Sequence, residues 1–343
     1  MNNSVIRGIV IGVGNMGKVA VRCMIDHGIE IVGAVDTDER ILGKDVAEYI
    51  GYPAIGVEIS GNLDQVLGSS EADVAVVATE TAVDDIYGIL EKCIRKGVNV
   101  ATTSEEAFYP WKTAEESALK LDRLAKEHGV TVYGSGIQDV FYLNLCQVLT
   151  GACNDVKRID CYNFLPLDDM GAVVAEEMFL GKTKAEYEKS VEESGGSNPL
   201  AEDTLTTACA VAASMNLDVT DTYMQCKAIT GSGPVYHRGT GRTIQAGKVI
   251  GVDSIAGVKT AQGVEVEIVF CYKVTERETE TPLIEWRVTG DPDLRLVVDD
   301  IKGEVTTSAT LVNRIPDVLA SEPGFQTFMT MPKPHCTIGT MCK

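Results

Sequence analysis

Gly12, Gly14 and Gly17 stand at G-x-G-x-x-G spacing, between an apolar run, Val5 to Ile11, and an amphipathic stretch, Lys18 to Asp26. A second apolar run, Ile29 to Val35, ends on Asp36. Strand, glycine turn, helix, strand and terminal acid in this order predict a dinucleotide-binding unit. Gly12 permits a tight turn, Gly14 lets the backbone approach a pyrophosphate, and Gly17 lets helix and strand pack closely. The N–H groups of the helix start, where Asn15 and Met16 lie, favour the phosphate charge. Asp36 is spaced to bond ribose hydroxyls and predicts NAD, since a 2′-phosphate would meet a carboxylate. Arg40 can pair with such a phosphate, so NADP stays open.

These residues need a sheet to hold them. Ala72 to Ala78, Asn99 to Thr103 and Thr131 to Tyr133 are further predicted strands. Asp84 to Lys96, closed by Gly97, and Trp111 to His128, closed by Gly129, are predicted helices. Repeated strand–helix alternation implies an α/β fold with a doubly wound parallel sheet. In such a sheet, ligands bind beyond the carboxyl ends of the strands. Segments 12–17, 36–40, 79–81, 102–106 and 134–139 then form one rim. It carries Thr79, Glu80, Thr102 and Thr103, where the nicotinamide ribose and amide of a dinucleotide would lie. Glu105, Glu106 and Asp139 are its acids.

The period then changes. Val156 to Phe164 reads as a strand, Ala172 to Ser194 and Leu200 to Met215 as helices. Val264 to Val274 alternates as a half-buried strand does, and Pro282 to Gly290 and Leu294 to Val298 add two more. This predicts a second, α+β domain with an open mixed or antiparallel sheet, whose free face favours a homodimer. Thr306 to Ala320, interrupted by Pro316, is a last helix returning to the first domain. The domain boundaries are placed at 1–140, 141–303 and 304–343.

The 343 residues carry 30 basic and 50 acidic side chains, a net charge of −20. That balance opposes nucleic acid and anionic membrane surfaces as main partners. No apolar segment has the length to span a membrane, and Met1 to Ser4 lead straight into the first strand with no secretory signal. The ten cysteines lack C-x-x-C pairs and read as reduced cytoplasmic thiols, Cys336 and Cys342 included. Asp168 and Asp169 have no supporting ligand cluster, so no metal is expected.

The two-domain order resembles the dihydrodipicolinate-reductase-like superfamily of nicotinamide enzymes. Three strings narrow the likeness: Thr102-Thr-Ser-Glu-Glu106, Gly134-Ser-Gly-Ile-Gln-Asp139 with Val140-Phe141, and Pro323-Gly-Phe-Gln-Thr327. Together they resemble the 2,4-diaminopentanoate dehydrogenase family and the related amine dehydrogenases. That resemblance implies oxidative deamination of a small diamino acid at C4 in ornithine degradation, with a glutamate from the 104–106 segment taking the ammonium proton. Glu105 and Glu106 both remain candidates, because successive side chains near a strand end point opposite ways.

Asp139 is suited either to the second ammonium group or to a turn cap. A substrate carboxylate wants a cation, and the glycine-rich string 231–242 offers His237, Arg238 and Arg242, as a binding loop or as a plain connection. Histidine pairs, as in dihydrodipicolinate reductases, and a Ser-Asn-Cys nucleophile, as in semialdehyde dehydrogenases, are both missing from the sequence. An amine or amino-acid dehydrogenase of other range, and a non-catalytic NAD-binding protein, are the alternatives.

Overall fold

The computed structural model describes residues 4–193 and 199–342. They divide into two compact units, Met1–Asn144 with Gly303–Lys343, and Leu145–Lys302.

In the first unit seven strands form one parallel sheet. They are β1 (Arg7–Ile11), β2 (Glu30–Val35), β3 (Ile59–Ser60), β4 (Val74–Val77), β5 (Asn99–Thr102), β6 (Thr131–Gly134) and β15 (Gly324–Gln326). Their order is β15-β6-β5-β4-β1-β2-β3. The winding therefore reverses between β1 and β4, which makes a switch point. The central stretches of β1, β2, β4 and β5 are apolar because both faces are covered. Ile9 and Ile11 join a core with helices α3 (Leu63–Ser69), α4 (Val83–Arg95) and α5 (Glu115–His128). Val10 points the other way, into a core with α1 (Asn15–Asp26), α2 (Val46–Tyr49) and the returning helices α10 (Gly303–Asn313) and α11 (Ile315–Ala320). Gly97 and Gly129 end α4 and α5 at φ of +72° and +67°, the left-handed region open to glycine.

The second unit holds α6 (Leu145–Thr150), β7 (Asp155–Pro166), α7 (Ala172–Glu177), α8 (Lys184–Glu193), α9 (Pro199–Ser214), β8 (Val219–Thr230), β9 (Val235–His237) and β10 (Arg242–Ile244). Strands β11 (Val249–Thr260), β12 (Glu265–Lys273), β13 (Leu283–Asp291) and β14 (Leu294–Asp299) complete it. Six of its strands form a mixed sheet, β14-β13-β7-β12-β11-β8, in which the β7–β12 pair is parallel. Helix α9 covers one face, where the Thr204 and Ser254 hydroxyls meet at 2.7 Å. Trp286, on the same side of β13 by register, is fully buried. On the opposite face the register sets Ile255, Val269, Tyr162 and Val297 in one row. Tyr162 and Val297 are 40% and 38% exposed there.

Several elements differ from expectation. The helix predicted over 172–194 is broken into α7 and α8 by Phe179 and Gly181, both at positive φ. Ser194, its expected end, and Met1 to Asn3 lie outside the described residues. Helix α5 starts at Glu115 rather than Trp111, because Trp111 packs edge-on against Phe325, centroids 5.9 Å apart. Pro316 falls at the start of α11, so the last predicted helix is two helices with Arg314 between them. β15 was not expected as a strand.

Trp286→Ala empties the centre of the second sheet's core. A loss of about 3–5 kcal/mol in urea unfolding is expected, and a loss under 1 kcal/mol would show that α9 does not pack there as described.

Candidate active site

The first unit's rim is stitched by its own backbone. The first residue past each strand donates to the end of its neighbour. Gly12 N–H reaches the Val35 carbonyl at 2.8 Å, Ala78 that of Ile11 at 2.8 Å, Thr103 that of Val77 at 3.0 Å, and Ser135 that of Thr102 at 2.9 Å. Segments 12–17, 36–40, 78–81, 103–106 and 135–139 are thereby brought to one edge.

Within it, Gly12 sits at φ +86°, and a Cβ there would lie 2.4 Å from the Ala78 carbonyl oxygen. A Cβ on Gly17 would lie 1.9 Å from that of Gly12. Both glycines are required by the fold itself. Gly14 is different: a Cβ there would meet nothing within 4 Å. Gly14 is also the N-cap of α1, with no side chain capping the helix and no acid in its first turn. The N–H groups at this helix start are left for an anion. Asp36, half-buried, accepts the Val13 N–H at 2.6 Å and the Asp38 N–H at 2.8 Å, so its carboxylate is fixed against the glycine turn. The cradle thus fits a dinucleotide, with open space at Gly14 for the pyrophosphate and Asp36 for a ribose. Arg40 forms a bidentate pair with Asp38, whose carboxyl its guanidinium holds down at about 2. Thr79 and Glu80 are exposed on the rim, Thr103 half-buried. Thr102 is buried, and its hydroxyl accepts the Ser104 N–H at 3.1 Å.

Glu105 and Glu106 differ in exposure. The Glu106 carboxylate accepts the N–H of Val83, the first residue of α4, at 2.8 Å. Its own N–H donates to the Thr81 carbonyl, which also accepts the Ser104 hydroxyl at 2.5 Å. Glu106 therefore caps α4 and ties the β4 and β5 loops together. Glu105 is exposed at the same bend.

Asp139 takes the structural of its two expected roles. It is fully buried, in a π-helical turn over Gln138–Asn144. One carboxylate oxygen accepts the Tyr133 hydroxyl at 2.8 Å, the Ser135 hydroxyl at 3.0 Å and Arg314 Nε at 2.8 Å. The other accepts the Asn144 amide at 2.8 Å. Such a carboxylate has neither access nor vacancy for a substrate ammonium, contrary to its expected place as a ligand. Burial opposes the Arg314 charge, but Tyr133 and Asp139 beside it raise its pKa above the ordinary arginine value. Burial and Asp139 push the Tyr133 hydroxyl well up, so it stays a donor. No pattern marks Arg314 in the sequence, since its partner lies 175 residues away.

In the second unit, His237 is 1% exposed and both ring nitrogens are engaged. Nε2 meets the Leu167 carbonyl at 2.9 Å and must donate, so in the neutral ring Nδ1 accepts from Thr240 at 2.8 Å. Arg238 forks onto Asp169 at 2.7 and 2.8 Å. His237 thus braces its loop from the interior, and Arg238 pairs at the surface, its side chain 57% exposed. Arg242 is exposed on β10. Among the described residues, no group of three His, Cys, Asp or Glu side chains could hold a metal, and no helix is long and apolar enough to cross a membrane.

Comparison with known proteins follows this geometry. Residues 141–343 match the family described as the 2,4-diaminopentanoate dehydrogenase C-terminal domain, and residues 6–131 match dihydrodipicolinate reductase, N-terminus. The chain is similar to 2,4-diaminopentanoate dehydrogenase of Acetoanaerobium sticklandii, 27% identical over 97% of this chain and 95% of the other. Amine dehydrogenase from Mycobacterium smegmatis superposes with a TM-score of 0.88 at 30% identity, over 98% of both chains. Myo-inositol 2-dehydrogenase from Lactobacillus plantarum, 13% identical over 92% and 89% of the chains with a TM-score of 0.60, shares the fold alone.

The two glycine roles separate by experiment. Gly14→Ala should leave the unfolding midpoint unchanged yet weaken NADH binding at least ten-fold, measured by fluorescence titration. Gly17→Ala should lose about 1–3 kcal/mol of stability from the clash itself. Unaltered NADH affinity in a well-folded Gly14→Ala variant would remove the cradle assignment.

Proposed function

Because the chain belongs to the 2,4-diaminopentanoate dehydrogenase family, and is an NAD(P)-dependent oxidoreductase acting on amines, we propose that its substrate is 2,4-diaminopentanoate. The reaction is oxidative deamination at C4 to 2-amino-4-oxopentanoate, a step of ornithine degradation. The A. sticklandii relative and the family match support that substrate. The observation that supports the catalytic assignment is the exposure of Glu105 at the bend beyond β5, on the rim that carries the dinucleotide cradle.

NAD is the first cofactor, held by Gly12, Gly14, Asn15, Met16, Gly17 and Asp36, with Thr79, Glu80, Thr102 and Thr103 toward the nicotinamide half. When bound it supplies the hydride acceptor. Glu105 holds the C4 ammonium and takes one proton, leaving the neutral amine whose carbon can release hydride. Glu105 then releases that proton to solvent, and the restored carboxylate stabilises the iminium, takes a proton from the attacking water and returns it to the departing ammonia. In sum, the substrate ammonium, NAD+ and water give the ketone, ammonium, NADH and one proton.

The M. smegmatis neighbour, an amine dehydrogenase at 30% identity, favours a second reading, in which simple amines are the substrates. The second unit's face around Tyr162 is proposed to pair with a second copy of the chain, giving a homodimer. The ten free thiols fit a reducing cytoplasm.

Glu105→Gln should lower kcat by about 100-fold or more, while Glu106→Gln keeps kcat within a few-fold and loses about 1 kcal/mol of stability from the weakened cap. Equal loss in both variants would overturn the division. Cofactor reduction followed at 340 nm should favour 2,4-diaminopentanoate over a simple alkylamine. Equal rates on the two substrates would establish the second reading. Light scattering should give twice the chain mass, and Tyr162→Asp the single mass. A wild-type monomer would refute the dimer.

A further inference from the structure

Gln138 opens the π-helical turn beyond β6. The residue is 3% exposed, and its buried amide nitrogen has no hydrogen-bond partner. A donor sealed from water without a partner lowers the stability of the fold. Such a defect persists where the missing partner arrives from outside the chain.

The turn is built around this amide. Gly136 has φ +152°, and a Cβ there would lie 2.7 Å from Gln138 Oε1 and 3.0 Å from the Thr307 methyl group. Glycine at 136 thus leaves room for the amide to fold back against the main chain. The next residue, Asp139, is held by Arg314, and its N–H donates to the Gly136 carbonyl at 3.1 Å. Thr307 belongs to α10, whose Ser308 hydroxyl reaches the Met16 carbonyl at 3.1 Å. Gln138 therefore sits on the rim at β6, tied through α10 to the start of α1.

The chemistry of a partner follows from the place. A dinucleotide held by its ribose at Asp36 and its pyrophosphate at Gly14 lays its nicotinamide half across the rim on the β4–β5–β6 side of the switch point. The nicotinamide carboxamide offers a carbonyl acceptor to an amide donor. We propose that Gln138 Nε2 donates to that carbonyl and so sets which face of the ring is presented. This rests on the dinucleotide reading of the first unit.

ADP-ribose, which lacks nicotinamide, separates the two. Binding of NADH and of ADP-ribose is measured calorimetrically for the wild type, Gln138→Leu and Gln138→Met. Both variants should weaken NADH about ten-fold, leave ADP-ribose unchanged, and keep or raise the thermal midpoint of the free protein, since an orphan donor is removed. Gln138→Met serves where Gln138→Leu does not fold. Unchanged NADH affinity, or equal weakening of both ligands, overturns the proposal. A wild type that binds no ADP-ribose overturns the dinucleotide reading itself.

Discussion

One ion pair without solvent contact holds the first unit's rim in place. Arg314 and Asp139 are each at most 1% exposed in their side chains, and every face of the guanidinium is used. Nε meets Asp139 at 2.8 Å, one terminal nitrogen meets Asp317 and the Pro332 carbonyl at 2.7 Å, and the other meets the Tyr133 hydroxyl at 3.0 Å. Three stretches distant in sequence are joined: the turn beyond β6, the start of α11 and the C-terminal tail. Removing the Arg314 charge would leave the Asp139 carboxylate buried without a counter-charge, a cost of about 3–5 kcal/mol. The pair is therefore a constraint on shape rather than a source of net stability.

Its reach extends to the acidic bend. Ser135 donates its hydroxyl to Asp139 and its N–H to Thr102. Thr102 in turn accepts from Ser104, and Ser104 donates to Thr81. Gly134 adds contact, since a Cβ there would lie 2.2 Å from the Ala107 carbonyl carbon. The segment carrying Glu105 rests on a floor that cannot shift without breaking buried polar contacts. Such preorganisation is what charge development at a substrate requires. The two helix starts at this edge are treated oppositely. That of α4 is met by Glu106 and carries Asp84 and Asp85, whereas that of α1 has neither cap nor acid. One positive end is neutralised from within, and the other is left for an anion.

The parts legible in the sequence were those governed by local chemistry. The glycine spacing, the apolar runs buried on both faces and the helix ends at Gly97 and Gly129 all follow from a few neighbouring residues. What escaped depended on distant partners. β15 is three residues long and is a strand only because β6 lies beside it. The break at Phe179 uses a positive φ in a residue that carries no turn signal. The role of Glu106 at the start of α4 is set by Val83, 23 residues back. Asp139 looks like a rim ligand until a buried arginine from the other end of the chain is placed against it, and His237 looks available until the Leu167 carbonyl is.

The same distinction between fixed and movable groups bears on the cofactor. Arg40 is paired with Asp38 in full solvent, 88% exposed, a contact too weak to hold it from a 2′-phosphate. Arg40 therefore neither forbids NADP nor selects it. Asp36 is not movable in that way, because its two oxygens already accept N–H groups from Val13 and Asp38. A phosphate on the adenosine ribose would have to approach a carboxylate that cannot turn aside, with Asp38 next to it. Asp36 also braces the glycine turn, so replacing it to admit a 2′-phosphate would loosen that turn.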